Sequence, residues 1–402
     1  MHNRRQFIKT STLVSLAPVL PTFLSKTAMG AESAKDNDRI LVVIQLDGGN
    51  DGINTIVPYK DEGYAEHRKA LRLPERDLLK VHDDFAFHSR LRSASELFED
   101  GRLSVVHGVG YPNPNRSHFE SMAIWHAGST DTEVRNRGNG WIGEAVSEHQ
   151  LSSSPHAIHV GDEALPVALR GRRCTAATIS NAADLQLRLK VDRPNVHDAH
   201  ELTAPTASLG DFLTKTVSEA YVSAQELAAS TKNDNAARYP SNRLGKRLKL
   251  VSQMIKSGAA AQVYYTSLGG FDTHSVQLRT HGNLLGQLSG SLKAFMNDLK
   301  ESGLEDRLLV MAFSEFGRRV KENASIGTDH GTAGPVLLAG TKLRSRSYGQ
   351  LPKLTDLEDS DLKHNIDFRD IYSGVLSDWL GLERPKSTQG FDSLNLFASD
   401  PT

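Results

Sequence analysis

One stretch constrains the fold more than any other. It is Ile40-Leu41-Val42-Val43-Ile44-Gln45-Leu46, followed at once by Asp47-Gly48-Gly49-Asn50-Asp51-Gly52. A continuous apolar run rich in β-branched residues reads as a strand covered on both faces, and such strands belong to mostly parallel sheets. The glycine-rich sequence behind it reads as a loop. Four more runs have the same character: 103–107 (LSVVH), 262–266 (QVYYT), 308–313 (LLVMAF) and 335–339 (PVLLA). Helical patterns lie between them, at 89–100, 208–229, 241–257, 276–301 and 368–380. In 276–301, Leu284, Leu285, Leu288, Leu292, Phe295, Met296 and Leu299 recur at helical spacing. Strands alternating with long helices predict an α/β fold: a doubly wound, mostly parallel sheet flanked by helices. Residues 39–398 are expected to form it, with the less regular 145–240 as an insertion or cap.

The N-terminus has a different character. Residues 1–30 carry Arg4, Arg5, Lys9 and Lys26 and no acidic residue. Asn3-Arg4-Arg5-Gln6-Phe7-Ile8-Lys9 resembles the twin-arginine export motif. A moderately apolar stretch follows from Leu13 to Leu24, then small residues around Ala28-Met29-Gly30-Ala31. Residues 1–30 are therefore expected to be a Tat signal peptide, and 31–38 a polar linker. The apolar stretch holds Pro18 and Pro21 and is shorter than the ~20 residues a membrane span needs. The expected destination is periplasmic or secreted, with the Tat translocase as partner during export and no stable membrane span in the mature chain.

Charge narrows the partners. The whole chain has 47 basic and 48 acidic residues; without the four basic residues of 1–30 it has 43 against 48, a net of −5. No positive field exists to bind phosphates of nucleic acid. A single cysteine, Cys174, rules out an intramolecular disulfide and a cysteine-rich zinc site.

In an open α/β sheet, ligands bind beyond the carboxyl ends of the strands. Asp47, Asn50 and Asp51 follow the first strand. Asp272-Thr273-His274 follows 262–266, Glu315 follows 308–313, and Asp329-His330 stands just before 335–339. Any one of these could be a turn former or helix cap. Together they deliver carboxylates and imidazoles to one edge, a set that suits a divalent metal. A fifth segment, Arg116-Ser117-His118, lies where a helix begins. Ser117 reads either as a simple N-cap or as a nucleophile at a helix N-terminus, where an anion is favoured. Arg116 could pair with phosphate or sulfate oxygens. His118 and His126, eight residues apart, read as ligands, general acids or surface residues.

The runs LVVIQLDGGNDGINTIVPY, VVHGVGYPNPNRSHFESMAIW, SLGGFDTHSVQ, FSEFGRRVKEN and GTDHGTAGPV resemble the bacterial Tat-exported family called domain of unknown function 1501. That family is similar to the alkaline phosphatase-like superfamily of sulfatases and phosphate-ester hydrolases. The resemblance implies a metal-dependent hydrolase of phosphate or sulfate esters, holding one or two ions of Zn, Mn, Ca or Mg. It implies one ion on Asp272, His274 and His330, a second on Asp47 and Glu315, and catalytic roles for Ser117, Arg116 and His118. The expected substrate is a small anionic ester or a sulfated or phosphorylated molecule.

Two departures stand out. Glu315 is followed by Phe316 where the superfamily commonly has Asp-His, and the Asp272-Thr273-His274 spacing is narrower than usual. The second ion site is then incomplete, empty, or completed by His118 or Asp329. The alternative function is a non-catalytic exported protein that keeps the fold and binds an anionic or polysaccharide ligand. No Cys-x-Pro-x-Arg sequence occurs, which argues against a formylglycine-type sulfatase.

Overall fold

Strand β1 (Ile40–Asp47) runs through the middle of the protein, and its alternate residues face two different cores. Val42 and Ile44 point into one, Leu41 and Val43 into the other. This is the physical reason the run is unbroken rather than alternating: neither face meets water. The computed structural model describes residues 38–148, 156–172, 174, 176–180, 238–259 and 261–398. The expected signal peptide at 1–30 and the expected helix at 208–229 lie outside the described residues.

The other strands of the main sheet are β2 (Leu103–Gly110), β3 (Ala157–Val160), β4 (Ala176–Ile179), β5 (Val263–Gly269), β6 (Leu308–Phe313), β7 (Gly334–Ala339), β8 (Ser347–Tyr348) and β9 (Ile366–Asp367). The nine-stranded order is β8-β2-β7-β6-β1-β5-β3-β4, with β9 also on the outer side of β2. β1 pairs in parallel with β5 on one side and β6 on the other. Only β7 runs antiparallel, to β2 and to β6. Its first residues therefore lie at the edge where its neighbours end, so the segment before β7 meets the segments after β1, β5 and β6.

Helices cover both faces. On one side pack α1 (Arg92–Glu99), α4 (Arg243–Lys256) and α5 (Gln277–Glu301), through Leu97, Leu248, Val251, Leu285 and Leu288. On the other pack α2 (His118–Ala127), α3 (Trp141–Glu148) and α6 (Phe368–Gly374), through Trp125, Ile142 and Tyr372. The sheet is thus mostly parallel and flanked by helices. Asp367 caps α6, its side chain accepting the Arg369 N–H at 3.0 Å. The last helix widens at Val375–Trp379 into a π-helical turn. Strands β3 and β4 fall inside 145–240, so part of that region extends the main sheet rather than standing apart from it. Among the described residues, no helix is long and apolar enough to cross a membrane.

Candidate metal centre

Five segments meet at the carboxyl edge of the sheet, and a buried arginine ties several of them together. Arg318 follows β6 and its side chain is wholly covered. Its Nε donates to the Gly49 carbonyl at 2.8 Å, its Nη1 to Thr328 O at 2.6 Å, and its Nη2 to Phe271 O at 3.1 Å and to Gly48 O. Nη2 also holds Asp272 Oδ1 at 2.6 Å. A guanidinium with its donors engaged in this way does not reach out to an incoming anion; it sets the positions of the loops after β1 and β5. Gly48 and Gly49 make this possible. Both have positive φ, and a Cβ on Gly48 would stand 2.3 Å from Asp272 N. Opposite, residues 317–319 and 329–332 pair as two short antiparallel segments: Arg319 N donates to Asp329 O at 3.0 Å and Gly331 N to Gly317 O at 2.9 Å. That pairing fixes His330.

Asp272 Oδ1 is the meeting point. Nε2 of His274 lies 2.9 Å from it, Nε2 of His330 3.1 Å, and Nε2 of His118 3.4 Å. The His274 and His330 Nε2 atoms are 2.9 Å apart. Among the described residues, His118, Asp272 and His330 form the group that brings one ligand atom each within 4.8 Å of the others.

The opposite ring nitrogens settle the tautomers. Nδ1 of His118 faces Glu315 Oε1 at 2.8 Å, Nδ1 of His274 faces Asp329 Oδ1 at 3.1 Å, and Nδ1 of His330 faces the Arg116 carbonyl at 2.8 Å. Carboxylates and carbonyls accept, so each Nδ1 carries its proton and donates. In the neutral rings, three Nε2 lone pairs are then turned towards Asp272. Nε2 of His118 is buried and has no hydrogen-bond partner.

Charge follows from these contacts. Burial pushes the Asp272 carboxyl up, but the hydrogen bonds from Arg318 and, in its protonated form, His330 outweigh it and hold the group at about 2. The Glu315 hydrogen bond raises the pKa of His118. Asp329 is held below the usual carboxylate range by its bonds to Asn323 and His274. Phe316 packs its ring 5.0 Å from that of His118 and 4.8 Å from that of His330, an apolar wall on one side of the centre.

The remaining residues singled out from the sequence sit around this point. Glu315 reaches the centre through His118; its Oε1 also accepts the Gly48 N–H at 2.9 Å and its Oε2 the Ser314 hydroxyl at 2.9 Å. Asp47 is bonded by the Gln45 amide, whose oxygen takes His126 Nε2 at 2.8 Å and the Tyr265 hydroxyl. Burial pushes Asp47 up to about 6, with the Glu315 and Glu163 charges adding to it and the Gln45 bond opposing it. Ser117 is exposed at the start of α2, and its side chain caps nothing. The Arg116 guanidinium is paired with the buried Asp361.

Sequence reasoning did not find the roles of Arg318 as a tie between loops, Asp329 and Glu315 as orienters, or Gln45 as the partner of Asp47. The neighbouring Asp329-His330 pair was the available signal for Asp329. Glu315 and His118 are 197 residues apart, and nothing in the chain's local pattern joins them.

No curated protein matches this chain. Among solved structures it is similar to a protein of the alkaline phosphatase superfamily from Vibrio parahaemolyticus, with 9% identity and a TM-score of 0.44 over 94% of this chain and 79% of that one. It is also similar to a putative sulfatase from Bacteroides thetaiotaomicron, with 10% identity and a TM-score of 0.42 over 89% and 74%. A third similarity is to the C-terminal periplasmic domain of EcEptC from Escherichia coli in complex with Zn, with 11% identity and a TM-score of 0.39 over 90% and 88%. Likeness at these scores carries nothing about chemistry. The family pattern described as "Protein of unknown function (DUF1501)" matches residues 38–383, and the chain belongs to that family.

Proposed function

We propose that this protein is an exported metal-dependent hydrolase of phosphate or sulfate esters, with His118, His274, His330 and Asp272 holding a divalent cation. The observation that supports this most is the tautomer pattern. Three imidazoles are each anchored through Nδ1 by an acceptor, which is how proteins orient metal-binding histidines. Without a cation or an extra proton, the His274 and His330 lone pairs would oppose each other at 2.9 Å.

The donor set fits the ion. Ligand atoms about 2.0–2.1 Å from a tetrahedral zinc stand about 3.3 Å apart. Four of the six separations among these atoms run from 2.9 to 3.4 Å. The unpartnered, buried Nε2 of His118 would gain a partner. Three nitrogens and one carboxylate favour Zn or Mn over Ca and Mg, which take oxygen ligands. One ion is inferred rather than two. Glu315 is used by His118, Gly48 and Ser314, Asp47 by Gln45, and Phe316 fills the space beside the histidines.

When bound, the ion supplies Lewis acidity towards the ester and activates the attacking oxygen. The chain's own residues do the rest. Glu315, Asp329 and the Arg116 carbonyl keep the three rings in register. Asp272, ionised throughout the neutral range, provides the negative charge of the set. The N-terminus of α2 favours an anionic group beside His118. Ser117, exposed and uncapped, or a water is the attacking group. Phe316 keeps solvent from one side of the centre. Residues 1–30 supply the export signal of this reading.

The test is elemental analysis of purified protein followed by turnover of aryl phosphates and aryl sulfates. The reading expects bound Zn or Mn and turnover that both disappear in Asp272→Asn. Bound metal without turnover across both panels would favour the non-catalytic, anion-binding alternative.

A further inference from the structure

Among the described residues, the large hydrophobic side chains that stand exposed are Phe119, Val276, Leu278 and Ile326. All four lie within four residues, along the chain, of His118, His274 or Asp329. Phe119 follows His118 directly, Val276 and Leu278 come two and four residues after His274, and Ile326 precedes Asp329 by three. Phe119 is 88% exposed and Val276 70%. Scattered apolar surface residues are ordinary; that all of these fall in the segments that carry one polar site is not.

Two of them are also held at a conformational cost. Val276 has φ 44° and Ile326 φ 55°, in the left-handed region that β-branched residues avoid. Their segments are locked together, with Val276 N donating to Ser325 O at 3.1 Å and Gln277 N to Ile326 O at 2.9 Å. Gln277 anchors the pair from beneath. It is fully buried, its Oε1 accepts from the Thr273 and Thr328 hydroxyls at 3.0 and 2.6 Å, and its Nε2 donates to Asp51. The backbone of Val276 and Ile326 is therefore tied to the buried framework. Asparagine or glycine would relieve the backbone at both positions, so stability does not explain these side chains.

We propose that these exposed apolar side chains receive the apolar part of the ligand, so that the substrate class is amphiphilic: an anionic phosphate or sulfate ester carrying an alkyl or aryl group. This rests on the reading of the centre given above. The anionic head sits at Asp272 and the three histidines, and the tail lies against Phe119, Val276 and Ile326.

Calorimetric titration of zinc-loaded protein with methylphosphonate and octylphosphonate tests it without needing turnover. Octylphosphonate is expected to bind at least about tenfold more tightly, since each buried methylene adds about 0.8 kcal/mol. In the variant Phe119→Ser, Val276→Asn, Ile326→Asn, that preference should vanish, while zinc uptake persists and the melting temperature holds or rises. Equal binding of the two phosphonates to wild type, or a preference unchanged in the variant, overturns the proposal and leaves the metal reading standing. Sedimentation with phosphatidylcholine vesicles, lost in the variant and accompanied by no chain-length preference, overturns it in favour of a membrane surface. Failure of the wild type to take up zinc overturns the metal reading and this one together.

Discussion

Glu315 accepts the Nδ1 proton of His118 at 2.8 Å, and that bond decides which nitrogen of the imidazole faces Asp272. A carboxylate behind a ligating histidine fixes its tautomer and raises its basicity, and its loss typically weakens metal binding by about 10–100-fold. Glu315→Gln is expected to lower zinc affinity by that factor with the fold retained. Competition with a chromogenic chelator reads it; an affinity unchanged in the variant would show that Glu315 does not act through His118.

The loop after β1 depends on Gly48, whose φ is +114° and whose Cβ position lies 2.3 Å from Asp272 N. Gly48→Ala should cost about 1–3 kcal/mol for the backbone alone and push the Asp272 segment away from Arg318. Metal content and thermal stability are both expected to fall. A variant that melts like wild type and loads metal normally would mean the loop has room to spare.

Much of this arrangement was legible in the chain. The run at 40–46 reads as a strand buried on both faces, because it is short, rich in β-branched residues and closed by a glycine-rich loop. Asp272, His274 and His330 could be singled out because strand ends and their adjoining loops can be read from local pattern. What could not be read depends on distant pairings. The antiparallel direction of β7 is invisible in its apolar composition. Arg318 sits in a polar segment, FGRRVKEN, whose local pattern gives no sign of burial; only folding brings four carbonyls around it. Strands β3 and β4 are short, and their apolar signal is diluted by the irregular sequence around them.

Arg68 and Asp51 form an ion pair whose side chains are fully covered, with Nη1 2.5 Å from Oδ2. Removing one partner strands the other's charge. Arg68→Ala is therefore expected to cost about 3–5 kcal/mol, measured by urea denaturation. The double variant with Asp51→Ala should lose less than the two single losses combined. Strict additivity would deny the coupling.

Acid should destabilise the fold in a defined window. Burial is the main cause that pushes His88, His107, His126, His159 and His281 down to about 4. The unfolded chain protonates them near pH 6.5. Between about pH 6.5 and 4 the unfolded state binds more protons, so stability falls as pH falls, by about 1.4 kcal/mol per pH unit for each histidine. Asp47 opposes, since its carboxyl, raised to about 6, takes up its proton first in the folded state, and the carboxyls of Asp361 and Asp370, raised mainly by burial, act in the same direction. The melting temperature at pH 5 is expected well below that at pH 7.5. An equal or higher value at pH 5 would contradict neutral burial of these rings.

The most direct measurement is the metal content of purified protein, wild type beside Asp272→Asn and His330→Ala, with circular dichroism to verify that all three are folded. The account predicts about one zinc or manganese ion per wild-type chain and a clear loss in both variants. Folded wild-type protein that takes up neither metal when it is supplied, or folded variants that hold as much as wild type, would contradict the claim that these side chains form a metal centre.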